Sequence, residues 1–311
     1  MSDLSLLTAV QVVEKTMAYT MYRQMMWFAI CFAYLFATLI GAGTALALSA
    51  VGFNPSGLAM FGGLLGFGLC GYLLHKTRRS IWVPLRAGHA AAIAHSLMGK
   101  SLPGGWAQVD DAKHVVEARF GGDAALFNLH QRIKRVIRAF ADAEYGVGRS
   151  FAFPGGDFVR HAYDFVLGVA VAILDEVILA YHIKQQSDNP FMSCRDGIIL
   201  LVQNRRIMIK WASIMLVFMY SGLFAAFYLL LWPVGWVADL FPVSIGYWRW
   251  VFALVFAWGI KATFFDSVAL AMLTQVFFKI SEGQSASEDC ANKLAEISTD
   301  FKAISDRAER G

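Results

Sequence analysis

The chain has 311 residues, of which 57% are hydrophobic and 16% are charged, and its formal net charge is +4. Soluble globular chains carry about 25% charged residues, and here the deficit falls in a few apolar tracts near the ~20 residues that cross a bilayer. This composition excludes an ordinary soluble domain and predicts an all-α, polytopic membrane protein. Lys and Arg lie beside the apolar tracts, which favours membrane lipids as partners and predicts no nucleic-acid partner.

Residues 1–25 predict an amphipathic helix on the cytoplasmic membrane surface, because apolar side chains recur at helical spacing with the charges off that stripe. A helix that docks onto a partner is the alternative. Charged residues precede the first apolar tract, and no small-residue cleavage site follows a short apolar core, so we predict no cleaved signal peptide. The apolar stripe consists of Leu4, Leu7, Val10, Val13, Met17 and Met21.

Residues 26–76 predict the first transmembrane hairpin, two apolar spans joined by a turn rich in Gly, Asn and Pro. Gly62 and Gly66 form a GxxxG pair, and Gly41 with Ala45 gives the first span the same spacing. Small residues let helix backbones approach closely in a membrane, so these glycines are predicted to pack the two spans together. A glycine-lined pore is the alternative.

The end of the second span predicts the orientation of the chain. Its basic cluster, which includes Arg78 and Arg79, places this end in the cytoplasm by the positive-inside rule. The turn at 51–56 has neither Lys nor Arg, so both termini are predicted to be cytoplasmic. The predicted location is the plasma membrane or a bacterial inner membrane.

Residues 77–206 predict a cytoplasmic and interfacial helical region. A basic amphipathic helix within it is predicted to bind lipid headgroups, with a solvated helix face as the alternative. Residues 161–182 are apolar, but Asp175 and Glu176 would be costly in hydrocarbon, and a crossing there would put basic residues outside. A cytoplasmic, interfacial or re-entrant helix is therefore predicted. The predicted headgroup ligands are Arg78, Arg79, Arg132, Lys134, Arg135 and Arg138.

Residues 207–278 predict the second transmembrane hairpin, and residues 279–311 predict a cytoplasmic C-terminal helix. Pro233 is predicted to end the third span, since proline disrupts a helix interior. Tryptophans near the following loop are typical of a membrane interface. The four predicted spans are 26–50, 57–75, 207–232 and 250–272.

The sequence contains no motif of a hydrolase, a kinase, a nucleotide-binding protein or a metalloprotease, so no enzyme activity, cofactor or metal is predicted. The four cysteines are scattered, which predicts neither disulfides nor a zinc site.

Two charged residues, Lys261 and Asp266, lie inside the fourth span, where a charge costs about 2.5–3.5 kcal/mol. Together with Asp175 and Glu176 they are the predicted ligand or ion pathway. A buried interhelical ion pair or a snorkelling lysine is the alternative. On an ideal α-helix Lys261 and Asp266 would be about 140° apart, which predicts partners on other helices or another protomer.

The stretch NPFMSCRDG at residues 189–197 is followed by an apolar run to Gln203-Asn204-Arg205, and the last span carries ATFFDSV and then QVFFK. Over residues 172–285 this layout resembles the choline-transporter-like family, including that family's final helix. The resemblance implies a transport function. This chain is shorter and lacks that family's extra spans and large extracellular region, so no substrate-binding residue is carried over.

The leading prediction is a transport or channel-type component that acts as a homo-oligomer or with other membrane subunits. The alternative is a non-catalytic scaffold or assembly subunit of an envelope or secretion machine, which the large cytoplasmic share of the chain favours. A transport role predicts a polar cavity that reaches Lys261 or Asp266. A scaffold role predicts that protein contacts seal both residues.

Overall fold

The computed structural model describes residues 5–48, 54–145, 156–239 and 247–310, and the regular structure in these ranges is helical throughout. Two short segments are π-helical, Arg78–Trp82 and Lys261–Phe265. The α-helices are α1 (Leu6–Lys15), α2 (Met17–Ala47), α3 (Pro55–Lys76), α4 (Val83–Leu97), α5 (Trp106–Phe120), α6 (Asp123–Tyr145), α7 (Gly156–Gln185), α8 (Pro190–Gln203), α9 (Arg205–Asp239), α10 (Trp248–Ile260), α11 (Asp266–Ile280), α12 (Glu288–Ile297) and α13 (Thr299–Arg310).

Four helical stretches in the described ranges are long and apolar enough to cross a membrane. This finding confirms the all-helical class and the transmembrane helices, and it fits an integral membrane protein. The helix that contains residues 161–182, α7, is not one of the four. The four stretches are Met17–Ala47, Pro55–Lys76, Arg205–Val237 and Trp248–Ile280.

The third of these stretches continues past Pro233, so the prediction that this proline ends the span is wrong. A proline inside a helix removes one backbone donor and crowds the carbonyl one turn earlier. Membrane helices tolerate this loss where neighbouring groups satisfy the freed backbone. Helix α9 accordingly extends to Asp239.

The chain folds into two compact units. Unit 1 comprises Met1–Thr20, Val83–Met219 and Phe265–Gly311, and unit 2 comprises Met21–Trp82 and Tyr220–Phe264. The segments predicted as the N-terminal helix, the central cytoplasmic region and the C-terminal helix therefore contribute largely to unit 1. Unit 2 consists of the apolar hairpin segments.

The C-terminal half of α7 lies at the centre of unit 1, where α4, α6, α8 and α11 pack around it. Its residues Val177, Ile178 and Ala180 are completely buried. Helix α4 contributes the buried run of four alanines and one isoleucine at 90–94, and these small side chains allow a close approach to its neighbours. Helix α1 packs on α11 and α4, and α13 packs on α8 and α6.

Helix α1 packs within unit 1 through Ala9, Val12 and Val13, of which only Val13 belongs to the predicted apolar stripe. The stripe residues Leu7 and Val10 are exposed in the protein, and the predicted contact of the stripe with a membrane surface or a partner stays a prediction. Packing against α11 and α4 selects the face with small and β-branched side chains, which leaves larger apolar residues outward. The helix also ends at Lys15, so residues 1–25 do not form one continuous helix, and Leu4 lies outside the described residues.

The break between α1 and α2 is bridged by Gln108 of α5, which is buried. Its Nε2 donates to the carbonyl of Lys15 at 3.0 Å, and its Oε1 accepts from the backbone N–H of Tyr19 at 3.0 Å. A helix break leaves carbonyls on one side and N–H groups on the other without intrahelical partners. One glutamine side chain satisfies one group of each kind and so ties α5 to the N-terminal segment.

In unit 2, the α2–α3 hairpin packs through its glycines. A Cβ atom added at Gly62 would overlap the carbonyl oxygen of Gly41, and one added at Gly66 would overlap that of Ala37. The two backbones therefore approach within a distance that only glycine permits. By contrast, a Cβ added at Gly68 of the same helix would meet nothing within 4 Å.

Gly66→Ala should lower the free energy of unfolding of unit 2 by about 1–3 kcal/mol, because the added methyl group must displace a backbone carbonyl. Gly68→Ala is the matched control. It should leave stability unchanged or slightly raised, since alanine favours the helix and meets open space. Thermal unfolding of both variants in lipid nanodiscs measures the difference. Equal melting of the two variants would show that the hairpin does not pack through Gly66.

Candidate functional site

Two adjacent carboxylates of α7, Asp175 and Glu176, are buried in unit 1. The Nδ1 atom of His130 lies 2.8 Å from Oδ2 of Asp175, and Nζ of Lys134 lies 3.5 Å from the same oxygen. His130 and Lys134 are four residues apart on α6, so one face of that helix presents both. Asp175 is thus compensated by Lys134 and, when the imidazole is protonated, by His130.

Glu176 forms an ion pair with Arg86 of α4. The Arg86 guanidinium also donates to the carbonyl of Ala172, one turn before Glu176 on α7. The Arg86 side chain remains 28% exposed, compared with 6% for Glu176, so the arginine is the accessible member of this pair. We refer to the following five residues as the ionic cluster: Arg86, His130, Lys134, Asp175 and Glu176.

Charge pairing favours the ionised forms of Asp175 and Arg86 despite burial. Burial raises the pKa of Asp175, but the nearby basic side chains, first among them His130, outweigh it and hold this pKa below its ordinary value. Burial lowers the pKa of Arg86, but carboxylates, of which Glu176 contributes most, raise it above its ordinary value. Removing one partner would therefore leave a buried charge uncompensated, which is strongly destabilising.

Asp266, the first residue of α11, extends the cluster towards another helix. Its negative charge helps to raise the pKa of Arg86, and its side chain is half-buried. The next residue, Ser267, places its Oγ 3.4 Å from Nδ1 of His89, whose ring stacks on Tyr19 with centroids 5.3 Å apart. Polar groups thus continue from α6 and α7 across α4 to α11.

The predicted headgroup role of Lys134 is wrong. Its side chain is only 15% exposed, and its ammonium group is directed at Asp175 inside unit 1. Arg132 and Arg135 of the same helix contact the carboxylate of Asp300 on α13 at 3.2 and 2.6 Å. These two arginines remain partly exposed, and they also hold the C-terminal helix against α6.

The remaining predicted headgroup ligands stay predictions. Arg138 is exposed and lies 4.0 Å from Asp142, one turn further along α6. The side chains of Arg78 and Arg79 lie outside the described residues. The glycines predicted to pack the hairpin, Gly41 with Gly62 and Gly66, lie at the close approach described above.

Sequence reasoning found the two carboxylates but missed Arg86 and His130. A signal for Arg86 was present, because it is a lone cation in an apolar run of small residues. Such a residue needs a buried acidic partner. His130 is one turn before Lys134, which could have marked α6 as the helix that faces the carboxylates.

Lys261 lies in unit 2 and is covered by aromatic rings. Its Nζ lies 5.2 Å from the ring centroid of Tyr220 and 5.0 Å from that of Trp258, and the residue is 5% exposed. It begins the segment Lys261–Phe265, which is π-helical. The angle of about 140° between Lys261 and Asp266, which assumes an α-helix, therefore does not apply. Single π-helical turns occur frequently at functional sites.

Comparisons with protein-family models, with curated proteins and with solved structures find no match to this chain. The resemblance to the choline-transporter-like family stays a prediction. Among the described residues, no group of three or more His, Cys, Asp or Glu side chains is arranged to hold a metal ion. The residues that bear on function are therefore the ionic cluster, Asp266 and Lys261.

His182 of α7 makes a contact separate from the ionic cluster. Its Nε2 lies 3.3 Å from the carbonyl oxygen of Arg119, and its ring meets Phe120 edge-on at 4.9 Å. Burial lowers the pKa of His182 to about 4, against the opposing effect of the Arg119 carbonyl. The imidazole is thus neutral at pH 7 and joins α7 to the end of α5.

His182 should make unit 1 less stable in mild acid. The unfolded chain binds a proton at this histidine near pH 6.5, whereas the folded chain does so only near pH 4. Stability is therefore fully present above pH 6.5 and falls as the pH drops towards 4, by about 3 kcal/mol in total. His182→Gln should flatten this dependence in denaturant unfolding measured from pH 7.5 to 4.5. The exposed His114→Gln should keep it, and an unchanged slope in His182→Gln would contradict the assignment.

Proposed function

We propose that the chain is a component of a membrane transport system and that its ionic cluster couples proton movement to transport. One observation carries the proposal. Asp266 lies in the fourth membrane-length stretch, and its charge acts on Arg86, the accessible member of a buried cluster of carboxylates and basic side chains. Charged groups therefore extend from this stretch into the core of unit 1.

The energetic cost of the ionic cluster supports a functional role. Each buried ion has a desolvation penalty of several kcal/mol, and replacing a buried ion pair by apolar side chains is often neutral or stabilising. A core that retains five ionisable side chains is thus poorly explained by stability alone. Ionisable residues with strongly perturbed surroundings cluster at functional sites, and chains of Asp, Glu and His are typical proton relays in transporters.

A proton can change the cluster's charge without leaving Asp175 uncompensated. The Nδ1 atom of His130 lies 2.8 Å from Oδ2 of Asp175, close enough for a proton to pass between the two side chains, and Lys134 lies 3.5 Å from the same oxygen in either case. This exchange alters the field at Arg86, which is paired with Glu176 and is also influenced by the charge of Asp266. We propose that Arg86 shifts between these two carboxylates during the transport cycle.

The proposed orientation has both termini in the cytoplasm. Its support is the basic cluster that follows α3 and the absence of Lys and Arg at 51–56. The protein is proposed to work as an oligomer, or with other membrane subunits, in the plasma membrane or a bacterial inner membrane.

Proton flux into proteoliposomes tests the proposal. The purified protein is reconstituted with a pH-sensitive dye in the lumen, and a pH gradient is imposed. The wild type should acidify the lumen faster than protein-free vesicles. Glu176→Gln should reduce this flux at least tenfold, because Arg86 then loses the carboxylate with which it is paired.

Two further variants make this flux measurement decisive. Asp142→Asn is the control, because it neutralises an exposed acid outside the cluster and should leave flux unchanged. His130→Gln removes the proposed proton carrier without creating an unpaired arginine, so it should fold and still lose flux. Wild-type flux equal to that of empty vesicles would refute proton coupling. Full flux in a folded His130→Gln variant would show that the ionic cluster takes no part in proton movement.

A membrane scaffold or assembly subunit is the second candidate, and one observation favours it. Lys261 is covered by Tyr220 and Trp258, as a scaffold role predicts, whereas Asp266 is only half-buried. A scaffold would use the ionic cluster only to fix the packing of α4, α6 and α7. In that case Glu176→Gln should lower the melting temperature of the protein, and no flux should distinguish wild type from empty vesicles.

A further inference from the structure

We propose that unit 2 contains a binding site for a phosphate-bearing anion with a neighbouring hydroxyl group, built around Gln24, Arg23 and Lys261. The chemistry matches a glycerophosphate headgroup. This group can come from an anionic phospholipid or from a free glycerol phosphate. The site is separate from the ionic cluster and does not depend on the proposed transport function.

The first observation is the unsatisfied amide of Gln24 on α2. The residue is 6% exposed, and neither its Nε2 nor its Oε1 has a hydrogen-bond partner among the described residues. Burying an amide without hydrogen bonds costs roughly 1–3 kcal/mol by protein mutational data. Buried polar side chains normally have a partner, and an exception calls for an explanation such as a bound water, ion or ligand. Gln24 therefore lacks one acceptor for its N–H groups and one donor for its oxygen.

Two cations lie in the same part of unit 2. Arg23 is buried, and its Nη2 donates to the carbonyl of Ala262 at 2.7 Å. Ala262 follows Lys261, so the hydrogen bond brings the start of α2 to the π-helical segment that carries the buried lysine. Arginine and lysine are the side chains that recognise phosphate, whatever protein groups they also contact.

The composition of unit 2 favours an anion over a cation. Its ranges, 21–82 and 220–264, contain a single acidic residue, Asp239, which lies far along the chain from Gln24. Basic pockets between transmembrane helices on the cytoplasmic side are known to bind anionic headgroups. The basic residues in these ranges are Arg23, Lys76, Arg78, Arg79, Arg249 and Lys261.

Aromatic residues support a site at the level of the lipid phosphates. Trp27 lies one turn after Arg23 and Gln24 on α2, and its ring packs against that of Trp82 with centroids 5.0 Å apart. Tryptophan is enriched where the hydrocarbon region meets the headgroups. Trp82 also follows the basic cluster that ends α3. A headgroup phosphate would reach Arg23 and Gln24 Nε2 from this level, and a headgroup hydroxyl would donate to Gln24 Oε1.

Thermal unfolding in detergent micelles tests the site. Wild-type protein is titrated with phosphatidylglycerol, with phosphatidylcholine and with free glycerol 3-phosphate. Phosphatidylglycerol should raise the melting temperature saturably, and phosphatidylcholine should not. Gln24→Leu is near-isosteric and removes the amide, so it should weaken the apparent affinity at least tenfold. Gln11→Leu, the same change at an exposed position of α1, should bind as the wild type does.

The outcomes separate the two sources of the ligand. A saturable shift with free glycerol 3-phosphate would support the site and assign it to a solute, whereas a shift with phosphatidylglycerol alone assigns it to lipid. Equal affinity in Gln24→Leu and wild type would overturn the proposal, as would equal shifts with both phospholipids. Native mass spectrometry of the wild type needs no variant. Retention of one phosphatidylglycerol after delipidation would support the site. A spectrum with no bound phosphatidylglycerol would mean that water alone meets Gln24, and it would overturn the assignment to lipid.

Discussion

The packing of unit 1 depends on two buried carboxylates that are adjacent in sequence. Neighbouring residues of an α-helix are rotated by about 100°, so Asp175 and Glu176 point towards different helices. Asp175 meets Lys134 and His130 of α6, and Glu176 meets Arg86 of α4. Because a buried carboxylate needs a cation, both neighbouring helices must present a basic side chain at the same level of α7. This requirement fixes the rotation of α4 and α6 about the central helix.

Small residues in the remainder of α4 allow this helix to keep the rotation that presents Arg86 to Glu176. Gly88 lies where the Tyr19 hydroxyl contacts the helix, and a Cβ at this position would overlap that hydroxyl, which donates to the carbonyl of Leu85 at 3.0 Å. Gln108 then joins the backbone of Tyr19 to α5. Helix α4 is thus held by an ion pair to α7 and by close contact with the N-terminal segment. The alanines between these contacts leave room for neighbouring helices.

The sequence predicted those features that depend on long apolar runs or on backbone contact. Four tracts near the length of a bilayer indicated four spans, and the spacing of Gly41, Gly62 and Gly66 indicated the hairpin that the structure packs through these residues. For residues 1–25 the apolar stripe did not predict the face that packs within unit 1, because α1 packs through Ala9 and Val12, which lie off the stripe. Pro233 failed as a helix end because a membrane helix can continue through proline.

Of the ionic cluster, the sequence predicted the two carboxylates but not the basic side chains that pair with them. Hydropathy identified Asp175 and Glu176 as costly in an apolar helix, but it contains no information on which distant cation compensates them. Lys134 belongs to a basic stretch of α6 and looked like its exposed neighbours, although its side chain turns inward. A charge pattern along one helix shows where charges lie around its axis. It cannot show which face another helix will cover.

Backbone irregularity limits sequence reasoning more strongly in unit 2. An α-helix pairs each carbonyl with the N–H four residues later, whereas a π-helical turn pairs it with the fifth. No residue pattern in Lys261–Phe265 announces that change, yet it alters the spacing of every side chain beyond it. The carbonyl of Ala262 in this segment accepts the hydrogen bond from Arg23, so one buried cation is held by backbone. The ammonium group of Lys261 lies over two aromatic rings, whose faces attract a cation. The buried charged side chains described in unit 2 are thus Arg23 and Lys261, both cations, and this asymmetry is the physical basis for expecting the hydrogen-bond partner of Gln24 to be an anion.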